Sequence, residues 1–415
     1  MGMMMLAGCS SSVEEEMEEM EQAVVPEPEP VDVGMLAYAV PYTNAVQQKG
    51  REESRHFGAA PAWMSVGDID YLPYDELAGS GTAMMSNEKA AISVFFTKDS
   101  PVTTELHKIW KGSDDKWRID EAPETGGDYY LYGYVPRDAA TASILPDATS
   151  SLYADGLRLT LNGLPTVASK DVCVVVGAKE GIKTSVDPAP LEVSVTGLKT
   201  GQFLTNFKTG DAEENHLFLL FDHLYSALTF RFTVDEEYDN LRTIKVKQVE
   251  LMAYEDDRAT KKYSKQNTTI TLKANDTNTS PITGTVTFTQ DTESARMGYV
   301  DIFNNSKTPL VLGYGVNRDA TGFVPRDINH LMLRSTYDVY DKQGNLVRKD
   351  CKAENKFSLS GLSFTPDNFI YDDEADRYML KRGYRYIVKV LVTPTYLYVL
   401  SEPDAPPIVV EDWSI

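Results

Sequence analysis

Through most of this chain apolar residues recur at every second position, and long amphipathic helical patterns are missing. Leu228, Phe230, Phe232 and Val234 alternate with Thr229, Arg231 and Thr233. Tyr384, Tyr386, Val388, Val390 and Val392 alternate with Arg385, Ile387, Lys389 and Leu391, and Val286 and Phe288 sit between threonines. A period of two puts successive side chains on opposite faces of an extended backbone, so each run predicts a half-buried β-strand. In Ile244–Leu251 the phase slips by one at Gln248, which predicts a β-bulge. Asn162-Gly163, Thr196-Gly197, Lys342-Gln343-Gly344-Asn345 and Ser360-Gly361 supply turn chemistry between runs. Strands separated by glycine and proline, without intervening amphipathic helices, predict antiparallel sandwiches rather than a parallel α/β sheet.

The chain has 415 residues, too many for one ordinary domain. Gly210-Asp211-Ala212-Glu213-Glu214-Asn215 is a polar break, after which the strand pattern restarts. We therefore expect one sandwich over 56–215 and a second over 216–415. With 40 basic and 62 acidic residues the formal net charge is −22, and no basic stripe offsets it, which argues against nucleic acid as a partner. No apolar run reaches the roughly 18 residues of a membrane-spanning helix.

Motifs for chemistry are sparse. GxxxxGK[ST], a strand-linked GxGxxG, HExxH and CxxC do not occur. Gly177–Thr184 has the wrong glycine spacing for a phosphate loop and reads as a hairpin turn. The acidic run Asp372–Asp376 lacks the glycine and closing glutamate of a calcium loop. His107, His216, His223 and His330 show no ligand spacing, and His223, beside an apolar run, reads as a core or edge histidine. Cys173, inside Val172-Cys173-Val174-Val175-Val176, reads as a small apolar filler of a buried strand. A Cys173–Cys351 disulfide is left open, because nothing in the sequence sets their distance. No metal site, catalytic residue or cofactor is expected, although a carboxylate pair acting on glycosides would leave no trace at this level.

The third cysteine stands apart. Leu6-Ala7-Gly8-Cys9 resembles a bacterial lipobox, where a signal peptide is removed and the new N-terminal cysteine is acylated. Small residues before Cys9 admit the peptidase, and the methionines upstream read as the end of an apolar segment. Only eight residues precede Cys9, so we expect the start to be truncated or mis-assigned. Residues 10–32 carry nine acidic side chains and no lysine or arginine, then Pro26-Glu27-Pro28-Glu29-Pro30. Like charges repel and spaced prolines favour extended geometry, so 1–32 is expected to be signal remnant and disordered tether. An acidic run after a lipidated cysteine resembles a surface-export signal of outer-membrane lipoproteins; a plain spacer is the alternative.

Four stretches together resemble the fimbrillin family of Gram-negative lipoproteins (Mfa-like, type V pilus subunits). They are Leu6–Cys9; the aromatic strand Tyr129–Pro136; Phe221-Asp222-His223-Leu224-Tyr225-Ser226-Ala227-Leu228-Thr229-Phe230-Arg231-Phe232; and Gly383–Tyr386 with Pro394–Leu397 and Glu411–Trp413. The resemblance implies an all-β fold of two tandem transthyretin-like antiparallel sandwiches. It also implies assembly by strand exchange, in which an Arg-specific protease removes the first strand and a strand from a neighbouring subunit fills the groove. Val33–Val40 is the candidate removable strand, 33–55 the segment that holds it, and Arg55, then Arg51, the candidate cleavage positions. An uncut surface loop with two ordinary arginines is the alternative. Residues 406–415, with Ile408, Val409, Val410 and Trp413, are the candidate donor strand or else the last strand of the second sandwich.

The expected function is that of a non-enzymatic structural subunit of a cell-surface fimbrium, held in the outer membrane through Cys9. Its expected partners are other fimbrial subunits and the protease. Two rivals stand beside it. One is a monomeric surface lipoprotein that uses some of its 23 tyrosines to bind a glycan or protein; the other is a glycan-processing enzyme.

Overall fold

The computed structural model describes residues 30–45, 64–66, 69–73, 92–99, 102–121, 127–135, 141–145, 158–180, 202–205, 216–254, 268–273, 287–290, 299–362, 364, 366–373, 377–393 and 397–400, with gaps at 113, 115, 327 and 329. Strands dominate, and the only α-helix among the described residues is the short Glu236–Leu241, capped by the Asp235 side chain. The fold is all-β, as the two-residue period requires.

One sheet closes on itself. Its hydrogen-bonded path runs through His216–His223, Cys173–Glu180, Gly127–Val135, Ile92–Asp99, Val102–Lys111, Trp117–Ile119 and Val31–Ala39. The last of these strands then pairs back to the first. Val31, Val33 and Ala39 enter the core inside this ring, beside Ile92, Val94, Ile109, Ile119, Val135, Cys173, Val175, Leu219 and Phe221.

A second core lies between two five-stranded sheets. One contains Thr43–Asn44, Tyr384–Val392, Ser226–Val234, Arg318–Val324 and Leu397–Leu400; the other contains Val300–Asn304, Arg242–Tyr254, His330–Asp341, Leu346–Ser358 and Leu310–Leu312. Leu228, Phe230, Phe232 and Val234 are buried in this core, as are Tyr386, Val388, Val390 and Val392. These are the faces that the alternation marks. The bulge also falls where the phase slips, between Val246 and Gln248.

Other expectations fare differently. Asn162-Gly163 does not turn the chain. It lies inside strand Arg158–Leu164, where the register with Thr268–Lys273 shifts between Leu161 and Leu164. A glycine inside a strand favours an irregularity of this kind as readily as a turn. Gly177–Glu180, read as the start of a hairpin turn, continues strand Cys173–Glu180. By contrast, Gly344 takes φ +88° between His330–Asp341 and Leu346–Ser358, as its turn chemistry demands. Cys173 and Cys351 are both free thiols.

Two features cross the expected division at 215/216. Strand His216–His223 belongs to the closed sheet, so the chain changes sheets at residues 224–225. Strands Thr268–Lys273 and Thr287–Gln290 join Arg158–Leu164 and Thr141–Leu145 in a four-stranded sheet.

Candidate functional site

The Val31–Ala39 strand is the first half of the site. Val31 and Val33 point inward, while Asp32 between them faces Lys116 and Arg118 at 3.2 and 3.1 Å. Residues 31–33 pair antiparallel with Trp117–Ile119, and residues 34–39 pair parallel with His216–Phe221. Among the described residues this strand alone links those two edges. Removing it would expose a row of backbone donors and acceptors on each side of an apolar slot, an arrangement that recruits another extended segment.

The second half is the joint that the chain enters on leaving this strand. Val40 donates its N–H to the Phe221 carbonyl at 3.0 Å. The backbone then crosses to the other sandwich, where Thr43 and Asn44 pair parallel with Tyr384 and Arg385. Thr43 and Ala45 donate to the carbonyls of Gly383 and Arg385, each at 2.9 Å. Residues 40–45 thus form a strap between the closed sheet and the second sandwich.

His223, the last residue of its strand, sits under this strap. Its Nδ1 lies 2.6 Å from Asp171 Oδ2 and its Nε2 2.6 Å from the Val40 carbonyl oxygen. Tyr42 stacks on the imidazole with centroids 3.8 Å apart, and the Arg385 guanidinium covers the Tyr42 ring at 5.1 Å. Asp222 accepts from Arg382 Nη1 at 2.6 Å, and the same nitrogen reaches the His223 carbonyl at 3.3 Å. Gly383, at φ +69°, completes the turn that brings Arg382 here. Burial opposes charge on the His223 ring, but Asp171, then Asp222 and the Val40 carbonyl, outweigh it and raise its pKa above the ordinary histidine value.

The rest of the joint is bonded through its backbone. Leu224 donates to the Val172 carbonyl, Ala168 and Phe323 exchange hydrogen bonds at 2.8 and 2.9 Å, and the fully buried Tyr225 donates its hydroxyl to Pro165 at 2.5 Å. Burial pushes the Tyr225 hydroxyl pKa far up, so it remains a neutral donor.

Cys173, His223 and Asp171 have the residue types of a nucleophilic triad but not its geometry. Cys173 Sγ, at 3.4 Å, and Asp171 Oδ2 both face Nδ1, whereas a relay needs the nucleophile and the carboxylate on opposite ring nitrogens. All three side chains are buried from solvent. The same trio has the donor atoms of a metal site. Its 2.6 Å nitrogen–oxygen separation is that of a hydrogen bond, whereas two ligands of one tetrahedral zinc ion would stand about 3.3 Å apart.

The sequence-derived candidates Cys9, Arg51, Arg55, Ile408, Val409, Val410 and Trp413 lie outside the described residues. His223 is the satisfied buried histidine that its apolar neighbours suggested. Tyr42, Asp171 and Arg382 were not singled out from the sequence. They come from three segments far apart along the chain, and no local pattern connects them.

No protein-family model matches this sequence, and no curated protein matches it. Solved structures give distant likenesses. A candidate cell adhesion protein from Bacteroides fragilis is 12% identical, covering 91% of this chain and 100% of its own, at TM-score 0.34. A candidate cell adhesion protein from Bacteroides ovatus is 10% identical, covering 93% of this chain and 99% of its own, at TM-score 0.32. A fimbrial protein from Bacteroides ovatus is 9% identical, covering 87% of this chain and 50% of its own, at TM-score 0.28.

Proposed function

We propose that this protein is a structural subunit of a cell-surface fimbrium, assembled by loss of its Val31–Ala39 strand and insertion of a strand from another subunit. One observation carries the reading: this strand closes the sheet, with Val31, Val33 and Ala39 in the core and a different neighbour on each side. Burying each valine contributes roughly 1.5–3 kcal/mol, so the vacated slot favours an occupant of similar pattern. Main-chain hydrogen bonds supply affinity, and the in–out alternation sets the register.

In this reading Arg55 or Arg51 is the cut position, and Ile408, Val409, Val410 and Trp413 belong to the donor strand. Cys9 is the lipid anchor in the outer membrane, and the two tandem units are those expected over 56–215 and 216–415, with the sheet change moved to residues 224–225. A donor that leaves one subunit and fills the next makes a head-to-tail contact that does not close, and repetition yields a filament. The test is to trim the precursor with an Arg-specific protease and follow particle size by light scattering. Growth is expected for the native chain and none for an Arg51→Gln/Arg55→Gln double variant. Growth of the double variant under the same protease would refute the switch.

A further inference from the structure

The strap at 40–45 rests on a buried histidine. Both ring nitrogens of His223 face oxygen atoms at 2.6 Å, one a carboxylate and the other a backbone carbonyl. A neutral imidazole carries one N–H, so one of those oxygens would meet a lone pair. Two protons shared between the ring and Asp171 satisfy both contacts.

The surrounding charges do not replace that proton. Asp222, on the histidine's own strand, is engaged by Arg382 from the turn before Tyr384–Val392. Arg385 lies over the Tyr42 ring, 5.1 Å from its centroid. Cys173 Sγ faces Nδ1 from the neighbouring strand, and Asp171 Oδ1 has no hydrogen-bond donor among the described residues. Asp171 is fully buried and depends on the ring, because a buried carboxylate without a partner is strongly disfavoured.

We propose that His223 is a proton-dependent clasp for residues 40–45. The protonated ring anchors the strap through the Val40 carbonyl and the Tyr42 ring, and loss of one proton from the His223–Asp171 pair unfastens it while both β-cores stay folded. The cation strengthens the contact to the carbonyl and the stacking on Tyr42 alike. Because the ring's pKa is raised in the folded state, the clasp is fully closed below the ordinary histidine range and is lost as pH rises through the raised value. The clasp stands apart from fimbrial assembly except in its consequence, which rests on that reading: Val40 and Tyr42 belong to the segment that maturation would remove.

Hydrogen exchange of the uncut chain, read by mass spectrometry across a pH series and corrected for intrinsic exchange, tests this directly. Protection of the Val40, Thr43 and Ala45 amides should fall about tenfold or more as pH rises through the transition, with core segment 244–254 unchanged. His223→Gln should show low strap protection and no step. Asp171→Asn should move the step to lower pH, because the group that raises the ring's pKa is gone. Tyr42→Leu should lower protection but keep the step. A flat wild-type profile, a step that survives in His223→Gln, or strap and core opening together would overturn the clasp. If His223→Gln does not fold, an Asp171→Asn profile superimposable on wild type overturns it equally. A pH step in a protein that never polymerises after trimming would leave the clasp standing and remove the assembly reading; polymerisation with a pH-flat strap would do the reverse.

Discussion

Single residues carry clear tests of the packing. Gly133 lies where a Cβ would stand 2.3 Å from the backbone oxygen of Ser93 on the adjacent strand. Backbone cannot yield as a flexible side chain does, so Gly133→Ala should cost about 1–3 kcal/mol in urea unfolding. Gly344 has open space around it but a positive φ, so Gly344→Ala should cost less, about 1 kcal/mol. A larger cost at Gly344 than at Gly133 would contradict this account. Phe230 is fully buried and meets Phe357 edge-on at 5.8 Å. Phe230→Ala should lose about 3–5 kcal/mol, and a loss below 1 kcal/mol would place that ring outside the core. The burial of Phe230 was legible in the sequence, because alternation alone assigns it a face. The need for glycine at 133 was not, since the Ser93 carbonyl is brought there by strand pairing.

At the scale of elements, the Val31–Ala39 strand is the part on which the proposed assembly turns. Its apolar character was legible from 33–40, and the structure extends it back to Val31 by alternating Asp32 outward. What no periodicity reveals is its set of neighbours, one parallel (216–223) and two antiparallel (117–119 and 69–73). Val33→Asp puts a carboxylate into the ring's core without a partner. We expect this variant to bind a hydrophobic dye and to self-associate without protease. A monomeric, dye-silent Val33→Asp protein would show that the strand does not hold the slot closed. The strands at 268–273 and 287–290 teach the same limit from the other direction. The threonine alternation around Val286 and Phe288 marks a strand, yet its partner at 268–273 pairs in turn with 158–164, on the far side of the expected division.

For the whole molecule, the dominant quantity is charge. The full chain carries −22, and a cut after Arg55 leaves 37 basic and 51 acidic residues, a net −14, so trimmed copies still repel one another. Growth of trimmed protein into larger particles should therefore be faster at high salt than at low salt, because screening shortens the reach of that repulsion. Light scattering at matched protein concentration measures it, and a rate that falls as salt rises would point to attraction between charged surfaces as the driving contact.

The sequence by itself determined that this chain is built of strands, which face of many of them is buried, and where the turn at Gly344 and one bulge lie. Those properties depend on neighbours one to four residues apart, and the order of residues encodes them directly. Only the tertiary structure decided that Val31–Ala39 closes a sheet and that His223 meets Asp171, Val40 and Tyr42. Residues 52 and 183 positions from His223 along the chain reach it through strand register and crossover. Those are set by how whole faces pack, and no short window of sequence contains them.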